Sequence, residues 1–464
     1  MLYLICEKKV NKTTRGFSMR KSSNAQPSIF EAYSKHKVGL QLKRLSHLLD
    51  EHPKILRLIE KDLIDPSLMP VGRSGLTVEN VFRCLLLKQQ LGISYEQLAF
   101  HLSDSVSYRT FVRLPGHLMP KKSCLQSTIR RIKPETLEQV HQMLSVDWLE
   151  KRTLSLEKLR IDSTVVASNI APPSDSQLLN DSVRVLSRSL AKSRKATGQK
   201  IRFTDKRKAS KSLAFQIFNA KNAEKEALYP DLLKVVKVVL KQVERGLLQV
   251  REEGAPCVSM QKWIERVEHY RDLTLRIVKQ TVRRVIDKES VPSSEKVVSL
   301  FEEHTDIIVK GFRDVHYGHK INLSTEKNGL ITYLCIENGN PADSDRFMSI
   351  LNAHQEQLGC LPGSVVSDGC YASQNNVSEG RALGIQHVVF NKRVGLSYHS
   401  MGVKRKTFDR LRCFRAGIEG NISELKRVFG VGKAKWKGHD GFKAFVWSSV
   451  ISYNLVRIAR LRSG

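Results

Sequence analysis

Leu159-Arg160-Ile161-Asp162-Ser163-Thr164-Val165-Val166-Ala167-Ser168 is the stretch on which the reading of the fold turns. Its β-branched residues mark a strand. A single acid, Asp162, stands inside that apolar run, where an unpaired carboxylate is costly to bury. Asp162 therefore needs a partner. Upstream the pattern is helical from Ile29 to about Lys151. Val78, Val81, Phe82, Leu85 and Leu86 keep helical spacing, and Ser94 with Gln97 makes a capping box for the next helix. The pair around Leu91-Gly-Ile-Ser94 reads either as a helix-turn-helix or as an ordinary helical hairpin. Further helices follow over Gln126–Ile132 and from Pro134 to about Leu149.

Downstream come four short apolar segments, His319–Leu323, Leu330–Ile336, Ser364–Ser367 and His387–Phe390, each bounded by Gly, Asn or Asp. Helical stretches at Asp343–His354 and Ser373–Leu383 separate the last three. With the strand at Asp162, this gives a mixed α/β sheet flanked by helices. Between the first strand and the second lies a long interruption, about residues 175–300. Its leading edge, Arg184–Lys211, holds eleven Lys/Arg and one acid, Asp205. A one-sign run of this kind points to a DNA-backbone contact, with Lys206, Arg207 and Lys208 singled out toward its end. The rest of the interruption keeps helical spacing through Leu232, Val236, Val239 and Val243. The expected organisation is a disordered basic N-terminus over 1–28, an all-helical N-terminal domain over 29–151, and an α/β domain over 152–464 carrying the helical insertion.

The chain of 464 residues has 77 Lys/Arg against 46 Asp/Glu, a formal charge of +31, and 41% apolar residues. It can bury cores, so it is not a basic tail. Such charge on a folded chain makes a polyanion the expected partner, because neutralised phosphates release counterions. The apolar run Met1 to Cys6 is too short for a signal or spanning helix, so a soluble cytoplasmic protein without membrane contact is expected. The eight cysteines are scattered with no C-x-x-C pair, which argues against a disulfide or zinc framework. No G-x-x-x-x-G-K-[ST] motif for ATP occurs.

Two other acids complete a constellation. Asp368 ends the strand in Gly363-Ser-Val-Val-Ser-Asp368-Gly-Cys-Tyr371, where Gly369 permits close approach of a ligand. Glu419 lies in Arg415-Ala-Gly-Ile-Glu419-Gly-Asn-Ile-Ser-Glu-Leu-Lys426. On a helix, Arg415, Glu419 and Lys426 share one face. Two strand aspartates and one helix glutamate could converge on hard divalent cations, for which oxygen ligands suit Mg²⁺ or Mn²⁺.

In these blocks the sequence resembles the DDE-class transposases of bacterial insertion sequences. The signature Y-(2)-R-(3)-E-(6)-K is met at Arg415, Glu419 and Lys426, with Arg412 where the family has Tyr. Gly318-His-Lys320 and the loop Asn338-Gly-Asn-Pro-Ala-Asp-Ser-Asp345 also look like this family. The resemblance implies an RNase H-like catalytic domain over 152–464. It also implies a site of Asp162, Asp368 and Glu419 holding two Mg²⁺ or Mn²⁺ ions, with Asp162 bridging them. Arg415 and Lys426 would hold phosphates of double-stranded DNA, both transposon ends and target. The N-terminal domain would bind DNA or dimerise, and a homodimer or higher oligomer is expected in synapsis. The rival readings are an RNase H-like structure-specific nuclease and a non-catalytic DNA-binding protein derived from a transposase. The first would need neither the helical domain nor the insertion, and the presence of all three acids argues against the second.

Overall fold

The computed structural model describes residues 21–22, 32–65, 67, 75–253, 257–310, 314–391 and 395–462. The segment 1–28, expected to be disordered, lies outside these apart from Lys21 and Ser22. The chain divides into two compact units, Met1–Ala167 with Lys320–Gly464, and Ser168–His319.

In the first unit, seven described helices precede the sheet: α1 (Lys37–Asp50), α2 (Lys54–Leu63), α3 (Val78–Leu91), α4 (Tyr95–Asp104), α5 (Val106–Val112), α6 (Lys122–Ile129) and α7 (Pro134–Glu150). The turn between α3 and α4 forms as its residues dictate. Gly92 ends α3 at φ 64°, the left-handed conformation glycine adopts without strain, and the Ser94/Gln97 capping box opens α4. The outward face of α4 carries Glu96, Phe100 and Asp104, with Glu96 paired to Lys122. It presents no basic stripe.

The second unit is helical: α8 (Asp175–Ala191), α9 (Ser193–Thr197), α10 (Arg207–Asn219), α11 (Asn222–Glu253) and α12 (Val258–Thr281). Leu232, Val236, Val239 and Val243 of α11 bury their helical stripe with Leu179 and Val183 of α8 and Val267 and Ile277 of α12. A strand that sequence periodicity passed over, β2 (Asp306–Lys310), pairs antiparallel with the opening residues of β3 (Asp314–Thr325). Its five residues, charged at both ends, are too few to show an alternation.

The strand β3 therefore begins in the second unit and ends in the first, longer than its apolar segment His319–Leu323 suggested. In the first unit it joins β1 (Lys158–Ala167), β4 (Ile331–Ile336), β5 (Ser364–Asp368) and β6 (His387–Asn391). The order is β3-β1-β5-β6, with β4 paired to β3. The β3–β4 pair is antiparallel, whereas β1, β5 and β6 run parallel. This is the mixed sheet of an RNase H-like core. Parallel strands are covered on both faces, which explains why no residue of β1 is exposed.

Among the described residues, four α-helices complete the unit: α13 (Asp343–Leu358), α14 (Gln374–Ala382), α15 (Arg405–Arg427) and α16 (His439–Leu461). The helix α15 crosses β1, β5 and β6. The helix α16 is apolar almost all round and packs against α1, α3 and α7, so the N-terminal helices and the sheet share one hydrophobic core. No helix among the described residues is long and apolar enough to cross a membrane.

Two histidines stitch this core. His141 of α7 lies 2.9 Å from the Ile331 carbonyl oxygen. His354 of α13 lies 2.8 Å from the Ile350 carbonyl oxygen and within 3.1 Å of the Ser324 and Thr332 hydroxyls. Burial pushes both imidazoles down to about 4. An unfolded His titrates near about 6.5, so the unfolded chain binds the extra protons between these values. Stability is therefore complete above about pH 6.5 and is lost as pH falls toward 4, by up to about 1.4 kcal/mol per pH unit for each histidine. Urea unfolding of wild type and His354→Gln between pH 7 and 4.5 checks this. The variant should lose part of the slope, and an identical slope would refute the assignment to His354.

Candidate active site

The register of the parallel strands builds the site. β1 and β5 pair from Lys158↔Ser364 to Ile161↔Ser367, so the next step brings Asp162 beside Asp368. Each aspartate accepts a hydrogen bond at Oδ1 from the backbone of the following residue, Ser163 N at 2.8 Å and Gly369 N at 2.6 Å. Their Oδ2 atoms turn toward one guanidinium. Arg415 Nη2 stands 3.1 Å from Asp162 Oδ2 and 3.8 Å from Asp368 Oδ2, while its Nη1 is 3.0 Å from Glu419 Oε1. A single cation of α15 thus bridges the three acids that sequence spacing singled out. Burial is graded across them: the Asp162 side chain is 14% exposed, that of Asp368 39% and that of Glu419 65%. The charge that most needs a partner is nearest the core.

The helix α15 is locked to β1 by Arg160, on the same face of the strand as Asp162. The Arg160 guanidinium, buried and stacked over the Phe414 ring, donates to Thr325 Oγ1 at 2.8 Å, to the Phe414 carbonyl at 2.9 Å and to Asn421 Oδ1 at 2.8 Å. Gly417 leaves the space for it, because a Cβ there would stand 2.1 Å from Arg160 Nη1. Lys426 lies two turns beyond Glu419, half-buried beside Gly432. Arg412 is exposed.

A fourth carboxylate went unrecognised from sequence. Asp343, in the first turn of α13, pairs with buried Lys320 at 2.6 Å and accepts from Ser163 Oγ at 3.2 Å, linking it to the residue whose amide caps Asp162. The signal was present: a lysine in an apolar strand must have an anion, and Gly-Asn-Pro-Ala-Asp opening a helix supplies one. Behind Asp368, Tyr371 donates to Asn322 Oδ1, and Asn322 donates to Glu337. Burial and then the Asp343 and Asp162 carboxylates hold the Tyr371 phenol well above its usual range. Burial and then Asp368 likewise raise the Cys370 thiol, which is thereby not an activated nucleophile.

The donor set fits a hard divalent cation, since carboxylates from β1, β5 and α15 already face one positive group. Asp162, Asp368 and Glu419 would hold such an ion. In the second unit, Lys206, Arg207 and Lys208 differ in setting. Arg207 is forked onto Asp205 through bonds of 2.6 to 3.0 Å, Lys206 is half-buried, and Lys208 is exposed.

Residues 313–455 match the family described as Transposase DDE domain, and residues 31–131 match a Transposase domain (DUF772). The first span holds Asp368, Arg415, Glu419 and Lys426 and begins after Asp162. Searches of curated proteins and of solved structures gave no match.

Two outcomes follow from this geometry. Gly417→Ala should displace the anchored Arg160 guanidinium and lower stability by about 1–3 kcal/mol, the cost of leaving buried polar partners unsatisfied. Denaturant unfolding reads it, and a loss under about 0.5 kcal/mol would show that Arg160 can yield. Arg415→Gln should strengthen Mn²⁺ binding in the absence of DNA, by roughly tenfold for about 1.4 kcal/mol of relieved competition. Isothermal titration measures it; unchanged or weaker binding would mean that Arg415 does not compete for the carboxylates.

Proposed function

Because the chain belongs to the DDE-type transposases of insertion sequences, we propose that Asp162, Asp368 and Glu419 form the metal-dependent site that cleaves DNA at transposon ends and joins the freed 3′ ends to target DNA. The observation that carries this reading is the single guanidinium of Arg415 bridging three carboxylates from β1, β5 and α15. When bound, Mg²⁺ or Mn²⁺ would supply Lewis-acid stabilisation of the phosphoryl oxygens and an activated water or 3′-hydroxyl.

The chain's own residues do the rest. The two aspartates are held by backbone amides, so their outer oxygens keep a fixed direction while the ligand changes. Arg415 has alternatives, the acids or a phosphate, and DNA entering the site would draw it onto the backbone. Lys426, on the same helix, would take a further phosphate. Lys320 and Asp343 steady Ser163 and through it Asp162, so they are positioning residues. Lys206, Arg207 and Lys208 would meet the DNA backbone from the second unit, Arg207 through whichever donors Asp205 leaves open. For the N-terminal helices, Glu96 and Asp104 on the outward face of α4 would repel a phosphate-lined groove, which leaves contact between copies of the chain, as in a homodimer, as their role.

Asp162→Asn, Asp368→Asn and Glu419→Gln should each abolish cleavage of a duplex bearing the element's inverted repeat, in Mg²⁺ or Mn²⁺, by at least about a thousandfold. Binding to that duplex should stay within about threefold, because the basic surface is intact. Gel-resolved cleavage alongside fluorescence anisotropy measures both, and full cleavage by any one variant would remove that residue from the site.

A further inference from the structure

The basic leading edge of the second unit is more than a charged surface. Its helix α10 reads Arg-Lys-Ala-Ser-Lys-Ser-Leu-Ala-Phe-Gln-Ile-Phe-Asn over residues 207–219. At about 100° per residue, Lys208, Lys211, Phe215 and Phe218 fall within an arc of roughly 80°. Ser210, Ala214 and Ile217 face the other way and are buried. Phe215 and Phe218 are 68% and 76% exposed, so they are not core residues of this unit. They line a cleft of about 890 Å³ whose other wall is α8, which adds Arg184 and Arg188. Arg184 is paired with Asp181, whereas Arg188, Lys208 and Lys211 are exposed and have no ion-pair partner among the described residues.

Two exposed phenyl rings in line with exposed cations call for a ligand with both features. A protein partner would favour a contact centre depleted of charge. A duplex offers phosphates, but its bases are stacked away from a phenyl ring. An unpaired strand offers phosphates and free base faces together, which is the combination that aromatic platforms in basic grooves accept. Phe215 and Phe218 are three residues apart, a rise of roughly 4.5 Å along the helix, which sets two rings along the path of successive bases.

We propose that the cleft between α8 and α10 binds a stretch of unpaired DNA, with Arg188, Lys208 and Lys211 on its phosphates and Phe215 and Phe218 stacked on its bases. This deepens the reading of the chain as a DNA-processing enzyme, and it rests on that reading for the choice of DNA.

The test uses the full chain without metal and labelled oligonucleotides of equal length: oligo(dT), an abasic deoxyribose-phosphate strand, and a duplex. The Phe215→Ala/Phe218→Ala double variant should lose roughly tenfold or more in affinity for oligo(dT), the scale of one lost base–aromatic stack. It should change binding to the abasic strand and the duplex by less than about twofold. Because both side chains are exposed, folding should be unaffected, as circular dichroism and thermal unfolding would show. Independently, Phe215→Trp should give indole emission quenched by oligo(dT) and not by the abasic strand. Equal losses on oligo(dT) and the abasic strand, or no loss on either, would overturn the proposal. The outcome separates from that of the acidic site. End cleavage with an unimpaired double variant sinks the cleft alone, whereas selective loss of oligo(dT) binding in a protein that cuts nothing sinks the catalytic reading alone.

Discussion

A carboxylate on a strand covered from both sides must be neutralised, and the first unit is organised around meeting that demand at Asp162. The response comes from three directions. The amide of Ser163 takes one oxygen, Arg415 of α15 faces the other, and Lys320 with Asp343 fixes Ser163 from the next strand and helix. Arg160, two residues earlier on the same strand, holds α15 at the distance this requires. A buried cation with three acceptors sets the position of a partly buried cation with three anions. The helix that carries Arg415 is thereby held by contacts other than those Arg415 makes with the acids.

Much of this was legible in the residues. The β-branched run around Asp162, the Gly-bounded apolar segments and the capping signals at Ser94 and Gln97 each speak through local chemistry, and the structure forms a strand, strands and a helix start there. The helical spacing of Arg415 and Glu419 likewise survives as a direct ion pair. What escaped was long-range. Asp343 and Lys320 stand 23 positions apart in sequence and become partners only once α13 packs beside β3. Nothing in the periodicity of the N-terminal helices told that they would share a core with the sheet through α16. The strand β2 gave no pattern because its five residues depend on β3 for their identity as a strand.

The aromatic side of α10 shows a further limit of reading by charge. The run from Arg184 to Lys211 draws the eye because its sign is uniform, and counting stops where the lysines stop. The helix continues past them, and the outward stripe turns from cationic to aromatic within two turns. Charge attracts any polyanion, whereas an exposed ring discriminates by what it can stack upon. The two halves of the stripe therefore carry different information, and only the first is visible in composition.

The second unit leaves the chain after Ala167 and returns at Lys320, and its two ends lie against each other, Ser168 N donating to Tyr317 O at 2.9 Å. An excursion of some 150 residues thus opens and closes at one point. For a lineage under selection this is a permissive joint. A module whose entrance and exit coincide can grow, shrink or be replaced while β1 keeps its register with β5. The carboxylates at the strand ends and the basic, aromatic surface of the second unit can then change at independent rates within a single reading frame.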